Sequence, residues 1–222
     1  QQLAISDAAP TWQNFAEPLE QIEEKLSRAW SQVGHMNAVV NSPALREAYN
    51  DNLPKLTDFY SDLAQDERLY NKFKALKASR KYASLTQAQK KIVDNEIRDF
   101  KLGGAELPPA RKQRFKQIQE QLSKLTTKFE ENIMDTVDAF QHIEADTAHL
   151  SGIPQDALAA AKQAAETVGQ SGYLFTLHFP SYMPVLQYAD HRPLRESLYR
   201  AYATRASELG EAKWDNSALM QE

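Results

Sequence analysis

Residues 172–207, GYLFTLHFPSYMPVLQYADHRPLRESLYRAYATRAS, change their apolar period twice. Tyr173, Phe175, Leu177 and Phe179 alternate with Leu174, Thr176 and His178, the two-residue period of a strand buried on one face. Pro180 and Pro184 then stop a ladder, because proline brings no amide donor to it. From Pro193 onward Leu194, Leu198, Ala201, Tyr202 and Arg205 recur at steps of three and four, and Pro193 suits a first helical turn, where its missing donor has no partner to lose. The stretch predicts a strand, a proline turn and a helix over 193–207.

Upstream, the helical period dominates. Leu19, Ile22, Leu26, Ala29, Val33, Met36 and Val40 place one apolar stripe along a helix over 12–40. Ser42 and Pro43 form a cap and first-turn pair for a second helix, which Pro54 is expected to kink or split. Asp66 caps a third, with Leu69, Tyr70, Phe73 and Leu76 on one face. Thr86 and Gln89 make a capping box for a fourth, whose Ile92, Val93, Ile97 and Phe100 point inward and which Gly103 and Gly104 close. From Pro108 to Phe140 the apolar positions run without a break, which predicts a helix roughly 50 Å long with Leu122, Leu125 and Phe129 in the core. After a turn at Ser151–Pro154 comes an alanine-rich helix that ends near Gly169, high in propensity and low in bulk. A lone strand at Tyr173 needs a partner, and 141–145 is the other weakly alternating run. The expected class is therefore all-α with a short two-stranded β-ribbon. We read 1–222 as one helical domain, in which 1–140 form a long-helix bundle and 141–222 add the ribbon, the alanine-rich helix and a final helix.

Composition narrows the function classes. With 42 % hydrophobic and 25 % charged residues, 222 residues can build an ordinary globular core. A net charge of −4, with bases and acids alternating along most helices, disfavours nucleic acid. The absence of cysteine excludes both disulfides and a thiol nucleophile. No apolar run reaches the length of a membrane span, and the first residues lack the basic and apolar regions of a signal peptide, so a cytoplasmic location is expected.

Several spaced blocks carry a resemblance: TWQNFAEPLE, HMNAVVNSPALREAYNDNLP, LTQAQKKIVDNEIRDFKLGG, ENIMD, FTLHFPSYMPVLQYAD, LRESLYRAYATRAS and KWDN, in that order. Together they resemble the amino-terminal part of the thimet oligopeptidase and neurolysin family of zinc metallopeptidases. The resemblance covers essentially the whole chain, although the linker 208–213 is shorter than it leads one to expect. It implies residues before Gln1 and a catalytic domain after Glu222. For the full-length parent it implies zinc-dependent hydrolysis of short peptides, with an H-E-x-x-H helix supplying two ligands and the general base and a further Glu completing the shell. A region such as this one would form a wall of a deep channel that admits short unstructured peptides. Its partners would be those peptides and the catalytic domain.

None of that zinc signature is present in these residues. The histidines are His35, His142, His149, His178 and His191, and no two are four apart. The seven-residue separation of His142 and His149 leaves helical register if the ribbon forms, so all five are read as surface or interface residues. There is no nucleophile elbow and no phosphate-binding glycine loop. Glu23 with Glu24, and Glu130 with Glu131, read as solvated helix faces. Arg192, Arg195, Arg200 and Arg205 read as ties between this region and the catalytic part, with substrate contact as the alternative, and Tyr182, Tyr188, Tyr199 and Tyr202 read as core or interface residues; self-association is expected where the helix over 193–207 is left uncovered. No catalytic, cofactor or metal residue is assigned. The competing reading is a stand-alone helical interaction module, and an H-E-x-x-H motif downstream in the same gene separates the two.

Overall fold

Side-chain caps fix several helix starts of the first unit in the computed structural model, which describes residues 2–222. Thr11 and Asn14 form a capping box ahead of a π-helical turn, Trp12–Ala16, that leads directly into α2 (Glu17–Val39); a short α1 (Gln2–Ile5) precedes both. Ser42 caps α3 (Pro43–Ala64), and Asp66 accepts from the amides of Arg68 and Leu69 to start α4 (Glu67–Ala78). The one-turn α5 (Arg80–Ala83) follows. The Thr86–Gln89 box opens α6 (Gln87–Leu102), Gly103 closes it, and α7 runs Pro109–Ala139. Two compact units divide between Lys124 and Leu125, inside α7.

In the first unit α4 and α6 pack together and supply most of the core. Phe73 is fully buried, with the Phe15 ring 4.7 Å and the Phe100 ring 5.8 Å from its own, centroid to centroid. Leu76 and Val93 fill the remaining space. Burying Leu69, Tyr70, Phe73 and Leu76 stabilises each helix far more than its own propensity does. α2 meets α3 at a stacked pair, Trp30 on Tyr49, 4.9 Å apart. Two expectations need correction in this unit, and a third is narrowed. Ile22, Met36 and Val40 are exposed, so most of the α2 stripe is not core. Leu122 is 50 % exposed and Ile118 is exposed as well, so the first half of α7 carries an apolar face without burying it. Pro54 does not split α3. Side chains beside it supply extra donors to helix carbonyls: Asn52 donates to the Ala48 carbonyl at 2.7 Å, and the Thr57 hydroxyl to the Leu53 carbonyl at 3.1 Å.

The second unit contains the rest of α7, β1 (His142–Glu144), a 3₁₀ turn at Thr147–Leu150, α8 (Gln155–Thr167), β2 (Tyr173–Phe175), α9 (Phe179–Tyr188), α10 (Arg192–Ala203) and a 3₁₀ turn at Ala212–Trp214. β1 and β2 pair antiparallel, with Ile143 opposite Leu174. Gly172 makes the ribbon possible: its φ is +106°, and a Cβ there would lie 2.7 Å from the Glu144 carbonyl oxygen. α8 lies on β2, and its Ala161 and Ala165 are buried, which is the close approach that small side chains allow. Phe175, Val185 and Leu198 are the large side chains most deeply buried.

The strand is shorter than its alternation suggests. It ends at Phe175, Leu174 and Phe175 are both buried, and Phe179 is 67 % exposed. Nor is there a proline turn after it, because Pro180 and Pro184 both lie within α9. Pro180 sits in the first turn, where no donor is missed, and Pro184 removes one hydrogen bond from a helix that Tyr182 and Val185 anchor in the core.

Candidate functional site

Three places in the molecule gather chemically capable side chains. The first lies in the second unit, around Glu144. The ribbon and the following 3₁₀ turn bring His142 and His149 to one carboxylate: the nearest ring nitrogens are 3.8 and 3.1 Å from Glu144 Oε2. His149 also stacks on His191, centroids 3.7 Å apart, and stands 3.7 Å from the Asp146 carboxylate. Burial raises the pKa of Glu144, but the Asp146 amide (3.0 Å) and the His149 ring outweigh it and hold the carboxyl below its usual range. The stacked rings present faces to each other and not converging lone pairs. Among the described residues no group of three or more His, Asp or Glu side chains could hold a metal ion. His178 pairs with Asp138 at 3.2 Å and His35 is exposed on α2, so neither joins the cluster. The sequence separation of His142 and His149 gave no sign that they share a carboxylate.

The second place is the face of α9 and α10. Tyr182 stacks on Tyr202 at 4.4 Å, and the Arg205 guanidinium lies 3.8 Å over the Tyr202 ring, a cation–π arrangement. Arg205 also donates to the Tyr202 carbonyl, and Arg195 to the Ala189 carbonyl. Arg200 pairs with Glu196 one turn away. These arginines are bound to their own unit. Arg192, Tyr188 and Tyr199 remain exposed. Nearby, Gly152 has φ +86°, and a Cβ there would collide with the Tyr188 carbonyl. The Ser151 hydroxyl donates to Asp190 at 2.6 Å, tying the turn before α8 to the loop before α10.

Asn216 is a structural residue that sequence reasoning passed over, although it stands in the KWDN block. It is buried, accepts from the Asn132 amide at 2.7 Å and donates to the Phe129 carbonyl at 3.1 Å. The only signal was its place in an unusual block.

The third place is a cleft of about 780 Å³ in the first unit, lined by Leu3, Leu19, Ile22, Phe59, Leu63 and Leu69, with Glu23, Asp62, Asp66 and Arg68 at its rim. Glu23 is half-buried on α2. Desolvation first, and the Glu20 charge second, push its carboxyl above the usual range. Glu96 on α6 goes to about 7, chiefly through burial, with Glu23, Glu20 and Asp99 adding to it.

Comparison with known proteins places these features. The amino-terminal domain profile of the neurolysin/thimet oligopeptidase family matches residues 2–112. Oligopeptidase A of Haemophilus influenzae is 46 % identical over 214 residues, covering 96 % of this chain and 31 % of that protein. Oligopeptidase A of Escherichia coli is 45 % identical over 221 residues, 98 % of this chain and 32 % of its own length. A probable cytosolic oligopeptidase A of Arabidopsis thaliana is 36 % identical over 220 residues, 96 % of this chain and 31 % of its own. The chain thus spans about a third of the length of the curated relatives it matches.

Proposed function

The chain belongs to the neurolysin/thimet oligopeptidase family, and from that premise we propose that it serves as the amino-terminal, channel-forming region of an oligopeptidase A-like zinc endopeptidase that cleaves short peptides. The observation that carries this reading is the likeness to oligopeptidase A over 96 % of the chain. Its contribution is selection by size: a helical wall that admits extended peptides and turns folded proteins away.

No metal ligand set is assigned to this region in our reading. His142 and His149 both face the Glu144 carboxylate, but the His149 ring is stacked on His191, and among the described residues no group of three or more His, Asp or Glu side chains could hold a metal ion. The metal, its ligands and the general base therefore come, in this reading, from outside these 222 residues, and no step of hydrolysis falls to a residue named here. What this region offers is surface. Tyr188 and Tyr199 are more than half exposed on α9 and α10, and Arg192 beside them is exposed too, which suits contact with the catalytic part of the enzyme. Where that contact is missing, the same face favours self-association. No helix among the described residues is long and apolar enough to cross a membrane, and a cytoplasmic site of action fits the reading.

Metal analysis together with a quenched fluorescent peptide assay tests it, run on the 222-residue chain beside a protein extended through a downstream H-E-x-x-H motif. Chelator-sensitive cleavage is expected in the longer protein alone. Stoichiometric zinc and cleavage in the shorter chain would refute the assignment, and a gene with no such motif would favour a helical interaction module.

A further inference from the structure

The cleft in the first unit is open and unevenly charged. On its apolar floor Ile22 and Phe59 are exposed, beside Leu19 and Leu63. Two of its three acids are neutralised: Asp62 by Lys116 at 3.0 Å, and Asp66 by Arg68 at 2.5 Å. Glu23 has no ion pair among the described residues, and neither have Glu20 and Glu96; the Glu20 charge acts on Glu23, and both act on Glu96. An apolar floor beside the unpaired Glu23 carboxyl, which the charge of Glu20 crowds, is complementary to one kind of occupant.

We propose that this cleft binds a peptide segment carrying a large apolar side chain next to lysine or arginine, with the apolar group on Leu19, Ile22, Phe59 and Leu63 and the cation at Glu23. The apolar contact removes exposed surface from water, and the cation relieves a repulsion that the fold itself leaves in place. A second copy of the chain is a poorer match, because its formal net charge of −4 supplies no positive excess. The proposal does not depend on the hydrolytic reading, since none of these residues takes part in bond cleavage.

Fluorescence anisotropy with a labelled peptide of alternating leucine and lysine tests it on the 222-residue chain. Two control peptides replace lysine by glutamate or leucine by serine. The protein variants are Glu23→Gln and Ile22→Ser, both away from the fully buried core, with circular dichroism to check their folding. We expect saturable binding of the leucine–lysine peptide alone, weakened roughly tenfold by Glu23→Gln, the scale of one lost charge-assisted contact. Affinity should also rise between about pH 6 and about pH 8 as Glu96, which the Glu23 and Glu20 charges act on, ionises. No binding, equal binding of the glutamate peptide, or affinity unchanged in both variants would overturn the proposal. So would a concentration-dependent dimer abolished by Ile22→Ser, which would make a second copy the occupant.

Discussion

α4 and α2 are both amphipathic helices of the first unit, and they end in opposite states. α4 spans 12 residues and buries Leu69, Tyr70, Phe73 and Leu76; α2 spans 23 and buries only Leu19 and Asn37. Both show apolar residues at steps of three and four. Periodicity establishes that a helix has a face, and what covers that face depends on the bulk opposite. α4 meets Phe15 and Phe100, whereas along α2 the ring of Trp30 finds Tyr49 while Ile22, Met36, Val39 and Val40 remain in solvent.

The sharpest test of that contrast pairs one substitution from each helix. Phe73→Ala removes a ring packed against two others and should cost about 3 to 5 kcal/mol. Ile22→Ala should change stability by no more than about 0.5 kcal/mol. Urea denaturation measures both, and similar losses would mean that α2 is as much a core helix as α4. The same logic grades α7. Leu125 is half-buried, so Leu125→Ala should cost about 1 to 2 kcal/mol, while Leu122→Ala, at a half-exposed position, should cost about 0.5 kcal/mol or less. Equal costs would indicate that the stripe is buried as one unit in solution.

A further difference lies at the helix starts. The residue before α4 is Asp66, whose carboxylate accepts from Arg68 and Leu69, whereas the residue before α2 is Ala16, which has no side-chain cap. Asp66→Ala should therefore cost about 1 kcal/mol in a thermal or urea midpoint. The hydrogen bond from the Arg68 side chain holds the Asp66 carboxyl below its ordinary range. The stability it confers is fully present above the unfolded-state pKa of Asp and disappears as pH falls through the lowered native value. A cap whose loss has no effect would show that packing alone fixes the start of α4.

Much of the fold was legible from local chemistry. The boxes at Thr86–Gln89 and the Asp66 cap name their own helix starts, and the pairing of 142–144 with 173–175 followed from the need of one strand for another. Proline misled where context outweighed a single hydrogen bond, in α9 at Pro180 and Pro184. Burial along α2 and α7 could not be read, because it depends on bulk that residues far away in sequence do or do not supply. The site was less legible than the fold. Glu23 and Glu24 read as solvated neighbours, yet one is half-buried at the rim of a cleft and the other pairs with Arg28 on the surface. Nothing in the spacing links Glu23 to Glu96, seventy-three positions away, and only the packing of helices could do so.

That link yields a small, pH-dependent effect and the one most specific to the contrast between α2 and the α4–α6 core. Glu96 lies on the core helix α6 but is influenced by Glu20 and Glu23 of α2; burial first, and their charges next, raise its native pKa to about 7 from 4.5. The native state therefore binds more protons than the unfolded chain between those values, and stability falls as pH rises through that window. The contribution is fully present below about pH 4.5 and lost above about pH 7. Because the group is only partly buried, solvent discounts the effect, and Glu96→Gln should stabilise the protein at about pH 8 by about 0.5 to 1 kcal/mol while flattening the fall between pH 5 and 7. Glu23→Gln should do part of the same, by removing one of the charges that act on Glu96. Urea midpoints taken across the pH range for the parent and both variants decide the matter. A parent whose stability rises from pH 5 to 7 in step with Glu96→Gln would mean that Glu96 is neither buried nor crowded as described, and a Glu23→Gln profile identical to the parent's would mean that α2 does not bring that carboxylate near α6.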